Sequence, residues 1–139
     1  MGLSNIRVRA AGVLIGSAGV LVQRKIGDDV WALPGGGVNE GESAADALQR
    51  EFCEELVSDI DVVRRLDVLE NFFAYEGKIC HSVEFYFLVS CDALVASGEV
   101  PRSPERDLEF AWWTPTSDLR LVPEPVVPLV LDVLRASDA

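Results

Sequence analysis

The chain has 139 residues, a length that suits one domain with a single well-formed core. Apolar residues make up 49% of it, which separates it from disordered sequences. Its 12 basic against 23 acidic residues give a net charge of −11, which argues against binding nucleic acid polymers or anionic membranes, since both need basic surface.

In chain order, Val8–Ile15 and Val20–Lys25 read as strands joined by Gly16-Ser17-Ala18-Gly19, a hairpin-like pair. Gly27-Asp28-Asp29 marks a turn before Trp31. Trp31-Ala32-Leu33-Pro34-Gly35-Gly36-Gly37 then sets three consecutive glycines in a loop just ahead of a helical stretch. Glycine lets the backbone approach a ligand closely, so such a loop can offer carbonyls to a metal and amides to a phosphate. Taken alone, the triplet marks no more than a tight turn.

Ser43 is a good N-cap, and Asp46 three residues later completes a capping-box pattern. From there to Leu56 the sequence has no Gly, Pro or β-branched residue, so a helix of about three to four turns is expected. Ala45, Leu48, Phe52 and Leu56 form its apolar face. At about 100° per residue, Glu51, Glu54 and Glu55 cluster on the neighbouring arc. Like charges so spaced destabilise an isolated helix by about 0.2–0.5 kcal/mol a pair. A hard divalent cation with oxygen ligands would compensate them; a solvated acidic face is the ordinary alternative. Arg50 and Glu54, four apart, can form a local ion pair.

Beyond the helix, Val62–Phe73 and Ile79–Ser90 are long strand candidates, with Tyr75-Glu76-Gly77-Lys78 as the turn between them. Val83, Phe85, Phe87 and Val89 alternate with Glu84, Tyr86 and Leu88, so this strand is expected to be covered at least partly on both faces. Phe110–Thr114 reads as a short strand. After Pro123 and Pro125, Val126–Arg135 reads as a closing amphipathic helix packed on the sheet. This order suits a sheet flanked by helices, a single domain over residues 1–139 without repeats or linkers. Cys53, Cys80 and Cys91 are odd in number and lack C-x-x-C spacing, which suits a reducing compartment. His81, the sole histidine, excludes multi-histidine zinc sites and reads as a structural strand residue. No stretch is long enough to span a bilayer and no signal-peptide pattern is present, so a cytoplasmic location is expected.

The stretch Gly36–Ser58, GGVNEGESAADALQREFCEELVS, sets five residues between Gly36 and Glu42 and seven between Glu42 and Arg50, followed by Glu51, Glu54 and Glu55. It closely resembles the Nudix hydrolase signature, G-x5-E-x7-R-E-U-x-E-E-x-G-U with U a bulky aliphatic residue; Phe52 fills the first U slot. Val57 stands where the family has Gly, and Ser58 where it has an aliphatic residue. Leu33-Pro34-Gly35-Gly36 is similar to the Nudix lead-in. Phe110-Ala111-Trp112-Trp113-Thr114-Pro115, followed by Asp118-Leu119, is similar to the late Nudix strand. The resemblance therefore covers the whole chain.

The resemblance implies a Nudix-type α/β/α sandwich with a mixed β-sheet. It implies metal-dependent hydrolysis of a pyrophosphate bond in a nucleoside diphosphate linked to X: a nucleoside triphosphate, dinucleoside polyphosphate or nucleotide sugar. Glu51, Glu54 and Glu55 match positions that hold Mg2+ or Mn2+, and the Gly35 carbonyl matches a backbone ligand. Glu42 and Arg50 match the pair that orients the loop against the helix. Glu51 and Glu54 are the candidates for the base that deprotonates water. Gly36 and Gly37 are candidates to meet the substrate, and Arg24 and Lys25 are the basic groups closest in sequence to the loop.

A further acid is expected from the later loop. Of Glu105, Asp107 and Glu109, Glu109 is favoured as nearest the late strand. Tyr75 lies seventeen positions beyond Ser58, where a Tyr marks dinucleoside polyphosphate hydrolases. No Pro stands nearby, which disfavours the usual ADP-ribose marker. The expected partner is a small-molecule nucleotide, and the expected state a monomer or homodimer. The alternative is a catalytically silent nucleotide-binding regulatory domain; such domains lose box carboxylates, and this chain keeps them all. Val57, β-branched, is expected to avoid the left-handed conformation that the family Gly serves, leaving Ser58 or Asp59 to make the turn.

Overall fold

A computed structural model describes residues 5–105 and 107–137. β1 (Arg7–Gly16) and β2 (Gly19–Lys25) form the expected antiparallel hairpin, paired only at its closed end, Ile15 with Val20 and Gly16 with Gly19. The two strands then diverge. Into the gap comes β3 (Gly35–Gly37), antiparallel to Arg9–Ala11. The glycine triplet is thus a short strand rather than the expected loop. A Cβ on Gly35 would stand 1.9 Å from the Ala10 carbonyl oxygen, so only glycine permits this approach.

α1 (Ala44–Leu56) starts where the sequence places it, Ser43 Oγ accepting from the Asp46 N–H at 3.1 Å. Its buried residues are Ala47, Leu48, Phe52 and Leu56. Ala45, expected on this face, is only half-buried. The reason is that α1 packs against β3 as well as β1, which draws the row Ala47, Glu51, Glu55 inward. The helix end also differs from expectation. Val57 is left-handed, at φ 50 and ψ 42, with its N–H to Cys53 O at 3.1 Å and the Ser58 N–H to Phe52 O at 3.5 Å. Ile60, three residues on, is buried in the core beneath α1, so the chain must reverse at once. The backbone requirement overrides the side-chain preference of Val57, which is 76% exposed and gains no packing.

β4 (Asp61–Tyr75) and β5 (Lys78–Ser90) form a long antiparallel hairpin closed by Glu76 and Gly77, both at positive φ, the conformation that suits a two-residue connection. β5 pairs in parallel with β1 and lies inside the sheet, while β4 forms an edge. A four-residue helix, α2 (Asp92–Val95), follows, too short for a helical periodicity to mark it in the sequence. β6 (Leu108–Trp113) runs antiparallel to β2 and begins two residues before the expected Phe110. α3 (Val126–Ser137) closes the fold and buries Val126, Val130 and Val133.

Among the described residues the strands make one mixed six-stranded sheet, ordered β4-β5-β1-β2-β6 with β3 beside β1. Alternation along β1 divides the core. Ala10 and Leu14 join α1 in one cluster, with Leu21, Phe87 and Phe110; Ala11 and Val13 join α3 in the other, with Val22, Tyr86 and Trp113. The result is an α/β/α sandwich. β5 is covered on both faces over its central part, as its composition indicates. On the α3 side it buries Glu84, which accepts from Ser82 Oγ at 2.6 Å and from the Tyr86 hydroxyl. Among the described residues no helix is long and apolar enough to cross a membrane.

Candidate active site

The site is organised around one guanidinium. Arg50, on α1, donates through Nε to Glu42 Oε2 at 3.1 Å and through Nη2 to Glu42 Oε1 at 2.6 Å, a two-pronged contact with the residue just before the N-cap. Nη2 also donates to the Gly37 carbonyl at 2.8 Å, and Nη1 to Glu51 Oε1 at 2.8 Å. Arg50 therefore ties the end of β3, the approach to the helix and a helix carboxylate into one unit. Hydrogen bonds from Arg50 and the Asn39 N–H hold the Glu42 carboxyl below its usual range. The Glu42 and Glu51 carboxylates hold Arg50 well above the ordinary guanidinium range.

The three helix carboxylates have different surroundings. Glu51 is tucked against β3, its side chain 14% exposed. A Cβ on Gly36 would stand 2.3 Å from Glu51 Cδ, so the carboxyl occupies the space that glycine leaves. Glu54 is the outermost, its side chain 54% exposed, with Arg50 Nη1 at 3.4 Å. Glu55 faces inward. Burial, a hydrogen bond with Glu51 and the charges of Glu51 and Glu105 push its carboxyl up to about 8, opposed by Arg9.

Glu55 also lines a cleft of about 340 Å³ together with Gln23, Arg24, Trp31, Glu105 and Asp107. Arg24 reaches it from β2 and is held three ways: Nε to Glu109 Oε1 at 2.5 Å, Nη1 to the Asp28 carbonyl at 2.6 Å, and Cζ 4.4 Å above the Trp31 ring. Sequence proximity favoured Glu109 as the additional acid. In the fold, cross-strand pairing of Arg24 with Glu109 engages that carboxylate, and Glu105 is the later-loop acid whose charge acts on Glu55.

The fold brings Glu42, Arg50, Glu51, Glu54 and Glu55 together with β3, and Arg24 to the adjoining cleft. It does not bring Tyr75 there: Tyr75 stands opposite Lys78 at the closed end of the edge hairpin, 57% exposed. Two residues were not anticipated, Arg9 and Gln23. Arg9 donates to the Leu33 carbonyl at 3.4 Å and acts electrostatically on Glu55. Its one sequence signal is its alternation with Arg7 at the start of a strand that is apolar thereafter.

The donor set is all oxygen, carboxylates plus backbone carbonyls, which suits a hard cation such as Mg2+ or Mn2+. Among the described residues no three acidic, histidine or cysteine side chains converge at ligand spacing. The mutual repulsion of Glu51, Glu55 and Glu105 is what a bound cation would relieve.

The NUDIX domain model matches residues 6–134 of the chain. An RNA pyrophosphohydrolase of Campylobacter jejuni subsp. doylei is 30% identical over 80 residues, covering 50% of this chain and 49% of that protein. One from Teredinibacter turnerae is 41% identical over 61 residues, covering 43% and 36%. The matches thus span half or less of these relatives' length. A solved MutT NUDIX hydrolase from Burkholderia pseudomallei superposes with a TM-score of 0.67 at 20% identity, over 94% of this chain and 99% of that one. An ADP-ribose pyrophosphatase from Streptococcus suis gives 0.68 at 15% identity, over 93% and 92%. A UDP-X diphosphatase gives 0.65 at 19% identity, over 99% and 66%. At these identities the likeness is one of fold.

Proposed function

The chain belongs to the Nudix family, its domain model spanning residues 6–134, and from that premise we propose that it hydrolyses a pyrophosphate bond in a nucleoside diphosphate linked to a further group. The observation that carries this reading is the Arg50 unit, which holds Glu42, Glu51 and the Gly37 carbonyl in one rigid arrangement beside Glu54 and Glu55. Glu51, Glu54, Glu55 and the Gly35 carbonyl would hold Mg2+ or Mn2+. The cation would supply a Lewis acid that activates water and offsets charge on the diphosphate.

The chain's own groups do the rest. In the hydrolysis, water oxygen forms a new bond to phosphorus as the bridging P–O bond breaks. The water proton passes to a carboxylate, with Glu51 and Glu54 as candidates and Glu105 as a further acid across the cleft. Arg24, held over the buried Trp31 ring, presents positive charge at the cleft to an anionic substrate. The space above Gly36 is taken by the Glu51 carboxyl, whereas Gly37, beside the Arg7 guanidinium, leaves room for phosphate oxygens to approach the backbone.

The net charge of −11 favours a small nucleotide over the body of a polymer. The RNA pyrophosphohydrolase relatives add a second substrate class, a pyrophosphate carried on RNA. A cytoplasmic location accords with three free cysteines. A hydrolysis panel with Mg2+ tests the proposal, using nucleoside triphosphates, dinucleoside polyphosphates, nucleotide sugars and a 5′-triphosphate RNA oligonucleotide. Turnover of one class is expected, with a loss of roughly 10² to 10⁴ in Glu54→Gln and Glu55→Gln. Full activity in chelator, or in both variants, would sink the proposal.

A further inference from the structure

Two cations next to the helix carboxylates have no role in the chemistry above. Arg7 and Arg9 are two apart on β1, so their side chains leave the same face of the sheet. Gly37 is the cross-strand partner of Arg9, and Arg7 Nη2 lies 3.5 Å from where a Gly37 Cβ would stand. Gly36 faces the other way, toward Glu51, so β3 carries a carboxylate on one side and guanidiniums on the other. Arg9 links the two sides. Its Nη2 donates to the Leu33 carbonyl just ahead of β3, and its charge acts both on Glu55 and on Tyr86.

Both guanidiniums are free to take an anion. Arg24, Arg50, Arg120 and Arg135 each have a carboxylate within ion-pair distance, whereas among the described residues Arg7 and Arg9 have none. Lys25, Arg64, Arg65, Lys78 and Arg102 are unpaired as well, but of these only Lys25 lines the cleft with Glu55. Glu84 neighbours Arg9 in the β1–β5 register and is buried. Its oxygens accept from Ser82 Oγ, the Tyr86 hydroxyl and Asn71 Nδ2, so it offsets the charge of Arg9 without taking its N–H groups. Of the five N–H donors of Arg9, one is used, in a long bond of 3.4 Å. Two forks of this kind are complementary to a multiply charged group rich in acceptors, and phosphate is that group.

We propose that Arg7 and Arg9 bind a phosphate of the substrate beyond the two whose bridge is cleaved, so that nucleoside polyphosphates with three or more phosphates are favoured over nucleotide sugars. The inference rests on the pyrophosphate-hydrolysis reading given above and narrows its substrate class. The reacting diphosphate belongs beside Glu51, Glu54 and Glu55. The next phosphate along the chain passes Arg9 and meets the guanidinium side of β3. A nucleotide sugar has no third phosphate, and its neutral sugar gains nothing from two guanidiniums.

The test compares wild type, Arg7→Gln and Arg9→Gln in Mg2+, with a nucleoside triphosphate and a nucleotide sugar as substrates. Each variant is expected to raise KM for the triphosphate about 10-fold, the scale of a lost charge-assisted hydrogen bond. Because this is binding shared by ground and transition states, kcat should hold, and the nucleotide-sugar KM should stay within about 2-fold. Arg7 is exposed, so Arg7→Gln should melt as wild type does, which separates its effect from folding. A second reading needs no turnover. The inorganic triphosphate analogue with methylene bridges, which cannot be hydrolysed, is titrated by calorimetry in Mg2+, and each variant should bind it about 10-fold more weakly. Equal KM shifts for the two substrates, turnover of the sugar alone, or equal binding of the analogue by all three proteins would overturn the inference, as would no binding by wild type. If wild type hydrolyses neither substrate but the variants lose the analogue, the reaction assignment fails and the phosphate subsite stands.

Discussion

Gly36 and Glu51 share a space that can hold only one side chain: a Cβ on Gly36 would meet Glu51 Cδ at 2.3 Å and its carboxylate oxygens at 2.5 and 2.6 Å. The neighbouring glycines differ. A Cβ on Gly35 would strike the Ala10 backbone, whereas one on Gly37 would find the Arg7 guanidinium at 3.5 Å, an ordinary contact. Gly36→Ala is therefore expected to keep the fold and displace the Glu51 carboxyl, lowering turnover by roughly 10²-fold, the scale of a misplacement near 1 Å. Gly35→Ala is expected to destabilise the protein itself, and Gly37→Ala to be mild. Melting temperatures and turnover of the three variants check this, and normal turnover in Gly36→Ala would contradict it.

Arg50→Lys keeps the charge and loses the fork. An ammonium cannot reproduce the paired contact to Glu42 while also reaching Glu51 and Gly37 O. Turnover is expected to fall by about 10- to 100-fold, as for other residues that orient a metal site. The fold should persist with a loss of roughly 1–3 kcal/mol, since Arg50 and Glu51 are mostly buried and charge-assisted hydrogen bonds are lost. A variant with wild-type kinetics would reduce Arg50 to a decoration of a solvated face.

Val57→Gly is expected to stabilise the protein. A β-branched residue in the left-handed region is strained by about 1–2 kcal/mol, and Val57 gains no burial in return. Glycine returns part of that through its greater freedom in the unfolded chain, leaving a net gain of about 1 kcal/mol. Turnover should stay within a few-fold, because the cap is kept and the carboxylates lie upstream of it. A drop in melting temperature would show that the backbone there tolerates valine without strain.

Stability should depend on pH through Glu55. Its folded-state carboxyl is pushed from an ordinary 4.5 up to about 8, so the fold favours the protonated form. That contribution to stability is fully present below about pH 4.5 and is lost as pH rises through 8. Metal-free protein is thus expected to weaken across this window. A divalent cation needs the ionised carboxylate, so its binding should tighten over the same range and release a proton near neutrality. Melting curves between pH 5 and 9, with chelator and with saturating Mg2+, should draw apart as pH rises. Glu55→Gln should remove much of the divergence, and parallel curves in wild type would refute the assignment.

The sequence by itself determined what depends on near neighbours along the chain. Ser43 caps α1 as its pattern indicates, the spacing of Glu42, Arg50, Glu51, Glu54 and Glu55 assembles the carboxylate face, and Glu76-Gly77 closes its hairpin. These outcomes follow from helix periodicity and turn chemistry, which act over a few residues. Tertiary structure decided the rest, because the deciding neighbours are far away in sequence. Gly35–Gly37 became a strand only because β1 and β2 diverge and leave a gap. The β2–β6 register gave Glu109 to Arg24, and Glu105 acts on Glu55 across the loop. Burial of Ile60 forced Val57 into a conformation its side chain disfavours.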